Sequence, residues 1–331
     1  MHVGQRYKFT ETLYWSRRDV IVPLVWATIT VVLYDVVGLT FLSIPWLPMS
    51  LLGVAVAFYL GFKNNASYDR LWEARKIWGA IVNASRSWAF TSRDMLSGDA
   101  DDAELDAIRR ELVLRHVAWM DALRHQLRKI KSWEHQGPVF DSYRKGSRVP
   151  EYIEDLPEVL RPNLPPGETE AVTAMLNPAA HLLSNQSRRL ADLRARGLLD
   201  GFSHLVLQQL LHELMTQQGK AERIKNFPFP RQYATVNSFF AIIFAVLVPF
   251  GMLEAFAAYG GVWLTIPFSA LVSWVFLTTD RIGDWSENPF EGLANDVPIT
   301  SMARGIERDI RQMDGQSELP DAREPHGMFL F

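Results

Sequence analysis

Eight histidines and no cysteine set the chemistry open to this chain. Without a thiol it can form no disulfide, thiolate metal site or cysteine nucleophile. The nearest approach to a metal site is His204 and His212 with Glu213. Zinc ligands on one helix are normally three or four residues apart, however, and these imidazoles are eight apart. A structural or vestibule-lining place suits them better, and His116 and His125 offer no better spacing. No glycine-rich phosphate loop, Ser-His-Asp order or pair of catalytic carboxylates stands out. Neither a metal nor another cofactor is therefore expected, and neither is an enzyme.

The spacing that does stand out is apolar. In "MSLLGVAVAFYLGFKNNASYDRLWEARKIWGA", Gly53, Ala57 and Gly61 form a stripe of small residues at four-residue intervals. Val54, Phe58 and Phe62 form a bulky stripe beside it. In a helix, residues four apart share a face and lie about 6 Å apart along the axis. A small stripe lets neighbouring helices approach closely in a bilayer, and on spacing alone the bulky stripe faces either lipid or a core. The continuation through Lys63, Asn64, Asn65, Ser67, Tyr68, Asp69 and Arg70 has no proline or turn signal. A helix that turns polar around its circumference and then amphipathic suits a surface shared between a membrane and a wet cavity. The alternative is a break, with Asn65 or Ser67 capping a new helix.

The elements that must position these stripes are membrane spans, each needing about 20 mainly apolar residues. Four are expected, at residues 20–33 with an extension toward 42, 49–62 after Pro45 and Pro48, 236–253, and 261–279. Arg17 and Arg18 precede the first, Lys63, Arg70 and Arg75 follow the second, Lys225 and Arg231 precede the third, and Arg281 follows the fourth. The links 35–48 and 254–260 carry no Lys or Arg. The excess of basic residues on the cytoplasmic side then puts both termini and the long middle in the cytoplasm. Residues 1–62 make the N-terminal segment and first helix pair, and 63–235 a cytoplasmic helical region. Residues 236–280 make the second helix pair, and 281–331 a cytoplasmic segment ending in a flexible tail, "DGQSELPDAREPHG". The first residues lack the apolar core and cleavage site of a secretory signal, and the net charge of −3 gives no argument for a nucleic-acid partner.

Within the middle, Leu71, Ala74, Trp78, Ile81, Ser85 and Trp88 recur at helical spacing. Trp72, Trp78 and Trp88 read as packing, and Glu73 and Arg75 as ion-pairing or helix-contacting residues. A second helix is expected over 102–133, loops and short helices over the proline-rich 137–178, and helices again over 181–224.

The stretch "LLGVAVAFYLGFKNNASYDRLWEARKIWG" closely resembles the hallmark sequence of the bestrophin channels, above all their bacterial members. "RDVIVPLVW", "ERIKNFPFPRQY" and "DRIGDWSENPFEGLANDVPI" resemble the same family in the same order. The resemblance implies an all-α membrane protein with four transmembrane helices per subunit and a large helical cytoplasmic region. It further implies a homopentamer around a central pore, seated in the bacterial inner membrane. It turns the bulky stripe inward, making Val54, Phe58 and Phe62 the pore neck, about 12 Å long at 1.5 Å per residue. An apolar constriction of that kind can gate by losing its water. The resemblance also implies a cytoplasmic aperture, best matched by Ile224 in "ERIKNFPFP". Phe at both 58 and 62 is similar to the anion-selective pattern, so chloride is the expected permeant ion, and monovalent-cation selectivity is the alternative. Animal members bind calcium with consecutive acidic residues after Asn-Pro-Phe. After Asn288, Pro289 and Phe290 this chain offers only Glu291 and Asp296, too few oxygens for an ion that takes six to eight.

A transporter or membrane enzyme would call for ionisable residues inside the spans or a repeated half, which the sequence lacks. A non-conducting scaffold is the other rival, because helix packing alone accounts for both stripes. The terminal "GMFLF" is apolar enough to dock on its own chain or on a neighbouring subunit.

Overall fold

The computed structural model describes residues 1–138, 140, 141, 146 and 149–331. Helices dominate it, and among the described residues there is no strand, only isolated bridges. Two compact units divide the chain. One holds 4–70 and 229–288, the other 1–3, 71–228 and 289–331.

The first unit carries the apolar helices. After the short α1 (Phe9–Trp15), α2 (Arg17–Val31) runs on into a π turn over Val32–Val36. Pro23 sits inside α2, as membrane helices tolerate where neighbours and side chains satisfy the freed backbone groups. Next come the first half of α3 (Trp46–Asp94), then α9 (Arg231–Ala257) and α10 (Thr265–Asp284). Four stretches, Arg17–Val36, Thr40–Asp94, Arg231–Ala257 and Val262–Asp284, are long and apolar enough to cross a membrane. All four expected spans contain helices, but the first ends at Val36 instead of running on toward 42, and the third is longer than its apolar run. Pro230 starts it, and Arg231 and Gln232 extend it because backbone pairing continues past the last apolar residue. Its core is Met49, Val56 and Leu60 against Ala241, Phe244 and Val248.

No break follows Phe62. α3 is one helix of 49 residues, about 74 Å at 1.5 Å per residue, so the capping alternative at Asn65 or Ser67 does not occur.

The second unit is built around the rest of α3 and α4 (Asp102–Arg128), with α5 (Leu156–Leu160), α6 (Glu168–Thr173), α7 (Pro178–Ala195), α8 (Gly201–Asn226) and α11 (Ile299–Met313). Trp78, Ile81, Trp88, Leu112, Trp119 and Leu123 lie at its centre, each 0 or 1 % exposed. Asp101, Asn177 and Asp200 cap α4, α7 and α8 with their side chains. α4 stops at Arg128 rather than 133, where Lys129 leaves the helical region at ψ 123°. The proline-rich stretch holds short helices and turns as expected, except that residues 139, 142–145, 147 and 148 lie outside the described residues. The sequence reading assigned no helix to 299–313. α11 forms there because Ile299, Ala303, Ile306 and Ile310 recur at helical spacing and are buried together.

"GMFLF" docks on its own chain. Leu330 donates its N–H to Met1 O at 2.8 Å, Val3 to Met328 O at 2.9 Å, and Ser301 to Phe331 O at 2.7 Å.

Candidate functional site

The bulky stripe of α3 stands outward from its own chain. Val54 is 70 % exposed, Phe58 65 % and Phe62 48 %. The two phenyl rings meet edge to face, centroids 4.5 Å apart at 87°, the geometry that the ring quadrupole favours.

The small stripe packs only at its first member. A Cβ at Gly53 would stand 2.9 Å from Phe244 Cζ, whereas Gly61 has open space and Ala57 is exposed. A strict four-residue repeat drifts about 40° per step around a helix of 3.6 residues per turn, so a stripe that touches α9 at 53 has rotated away by 61. The seam that does stay buried is Met49, Gly53, Val56, Leu60, Lys63 and Ser67, alternating steps of three and four.

Lys63 is the unexpected member of that seam. Its side chain is fully buried, with the ammonium 2.6 Å from Asp280 Oδ1, 2.6 Å from Asp284 Oδ1 and 3.3 Å from Ser238 Oγ. Asn64 adds bonds from Nδ2 to Leu60 O at 2.9 Å and to Thr279 O at 3.1 Å. Alongside, Arg281 binds Asp19 at 2.6 Å and Trp15 O at 3.2 Å. Sequence reasoning used Lys63 and Arg281 only as markers of the cytoplasmic side. The available signal was two acids four apart at the end of one span and a lysine at the end of another.

Ile224, the residue expected at the cytoplasmic aperture, is at the end of α8. It is 5 % exposed and belongs to the apolar core of the second unit, and the next residue, Lys225, is buried in an ion pair with Glu134. The large apolar side chains that α8 leaves outward are Phe202, Leu205 and Met215.

Glu291 and Asp296 are both engaged by the chain's own donors. Glu291 accepts from His135 N at 3.1 Å and faces His135 Nδ1 at 2.7 Å. Asp296 accepts from Gly292 N at 2.7 Å, 3.6 Å from the buried Arg128 guanidinium. Burial pushes its carboxyl up to about 7, against the pull of Arg128. Among the described residues no three His, Asp or Glu side chains gather as metal ligands. His204 and His212 fall under that statement, and Glu73 pairs with Arg223.

Comparison with known proteins gives one consistent result. Residues 16–312 match the family described as Bacterial/Fungal Bestrophin protein. The voltage-dependent anion channel-forming protein YneE of Escherichia coli is 31 % identical over 273 residues, 82 % of this chain and 78 % of that protein. A voltage-dependent anion channel-forming protein of Mesorhizobium japonicum is 28 % identical over 86 % of this chain and 79 % of its own. The crystal structure of a bacterial bestrophin homolog from Klebsiella pneumoniae superposes with a TM-score of 0.75 at 27 % identity, covering 91 % of this chain and 98 % of that one.

Proposed function

The chain belongs to the bacterial and fungal bestrophin family, and from that premise we propose that it forms a homopentameric channel passing chloride and other small anions passively through a neck lined by Val54, Phe58 and Phe62. The observation that carries this reading is the outward exposure of those three side chains on a helix that buries a lysine on its other face. Four spans in one chain can bury one another but leave no room for a hydrated path, so conduction calls for several copies, each contributing one such stripe.

The neck works by what it withholds. An apolar ring gives a permeating ion no strong binding site, and it can exclude water when narrow. Anion preference is supported by the phenyl pair. In a T-shaped contact one ring's face is covered by the other's edge, which leaves fewer free faces for a cation. The basic residues beside the spans favour both termini and the 63–235 region in the cytoplasm, and the resemblance to bacterial members makes the inner membrane the proposed location.

The test is the reversal potential of the purified protein in planar bilayers across a KCl gradient. The wild type should reverse near the chloride potential, and Phe58→Ile should move it toward potassium. A wild-type reversal at the potassium potential would make it a cation channel, and silence from well-folded pentamers would favour a scaffold. Native mass spectrometry of the detergent-solubilised particle checks the copy number.

A further inference from the structure

We propose that Lys63 is the positioning residue of the neck, a rotational lock on α3 that keeps Phe58 and Phe62 turned outward. This rests on the neck reading above. Near Lys63 few side chains hold the rotation of α3: Leu60 and Ser67 are buried beside it and Asn64 reaches Thr279 O at 3.1 Å, while Gly61, Phe62, Asn65 and Asp69 are exposed. Between lipid-bathed helices apolar contact supplies no hydrophobic drive, so packing and polar contacts decide how helices meet. An ammonium group in such surroundings is costly unless paired.

Lys63 has its partners on two other helices, Asp280 and Asp284 on α10 and Ser238 on α9. The two carboxylates are four residues apart, one above the other on α10, and together they bracket the ammonium. The lysine stem crosses α10 at Gly283, where an added Cβ would stand 3.4 Å from Lys63 Cγ and Cε. Successive residues point about 100° apart around a helix. Fixing Lys63 toward α9 and α10 therefore fixes Phe62 about 100° away, on the open side. Turning α3 by one residue would draw the ammonium off both carboxylates.

The cysteine-free sequence makes this directly testable. Single cysteines at 57, 58, 61 and 62 are introduced into the full-length channel, and block of the current by a charged thiol reagent is timed in bilayers. With Lys63 present, cysteines at 58 and 62 should react and change the current. If neither does, the neck reading itself fails. In Lys63→Gln the rates at 58 and 62 should fall about tenfold relative to those at 57 and 61, the population change that about 1.4 kcal/mol produces. Lys63→Arg should restore the original order. An unchanged reactivity pattern in a folded, conducting Lys63→Gln channel overturns the lock while leaving the neck standing. Should Lys63→Gln not assemble, Asp280→Asn keeps the Asp284 pair and should give a smaller shift in the same direction, and no shift there overturns the proposal equally.

Discussion

The two halves of α3 are built on opposite rules. From Leu71 onward the helix buries Ala74, Ile77, Trp78, Ile81 and Trp88 and turns Arg86 outward into a surface pair with Asp309. Before Arg70 it turns Leu51, Val54, Phe58 and Phe62 outward and buries Lys63 and Ser67. The backbone is continuous, so the difference comes from the surroundings. Where water surrounds the unit, apolar side chains gain by leaving it. Where hydrocarbon does, that gain vanishes, and paired polar groups decide which face turns inward.

The comparison is broken most forcefully in the second half. Trp88→Ala should cost about 3–5 kcal/mol, since it empties a core site and removes the indole hydrogen bond to Leu112 O, which keeps its Gln186 side-chain donor. Thermal unfolding of the detergent-solubilised protein reads this, and a loss below about 1 kcal/mol would mean that the core is not close-packed there.

Acidification should act on the same half. Burial between Trp88 and Trp119 lowers His116 to about 3, and burial with help from Arg124 lowers His125 to about 4. Each stays neutral in the fold while the unfolded chain protonates near 6.5. Stability is therefore lost as pH falls below 6.5, by up to about 1.4 kcal/mol per unit for each group. Asp296 opposes them. Its raised carboxyl protonates in the fold near 7 and in the unfolded chain near 3.8, so it adds stability as pH falls through that window. The two histidines together lower stability between pH 6.5 and 5 against the opposing raised carboxyls, and His116→Phe should remove its share of that slope from the melting-temperature profile.

In the membrane half, Gly53→Ala should cost about 1–3 kcal/mol through overpacking, because the new methyl would press on Phe244. The same change at Gly61, with open space around it, should leave the melting temperature unaltered apart from the helix-propensity gain. The smallest effect belongs to the exposed Arg86–Asp309 pair, where Asp309→Asn should change stability by about 0–1 kcal/mol and less in high salt.

Much of this was legible along the chain. The spans follow from apolar length and the unbroken α3 from the lack of a breaker after Phe62, whereas α7 starts at Pro178 rather than 181, where Asn177 caps it and the proline suits a first turn. α11 was equally readable from its isoleucines, but the segment between the fourth span and the tail was given no element. Within its own chain the small-residue stripe meets α9 at Gly53 alone, because a four-residue repeat drifts around a helix of 3.6 residues per turn.

The sequence by itself determined that there are four spans, how long they are and which ends are basic, because length, hydropathy and period are local properties. Only the tertiary structure decided which face of each helix is covered. Ile224 became core and Phe58 surface, though both are apolar and both helical. Lys63 found its counter-charge 217 residues along the chain at Asp280, and no local pattern specifies a pairing over that distance.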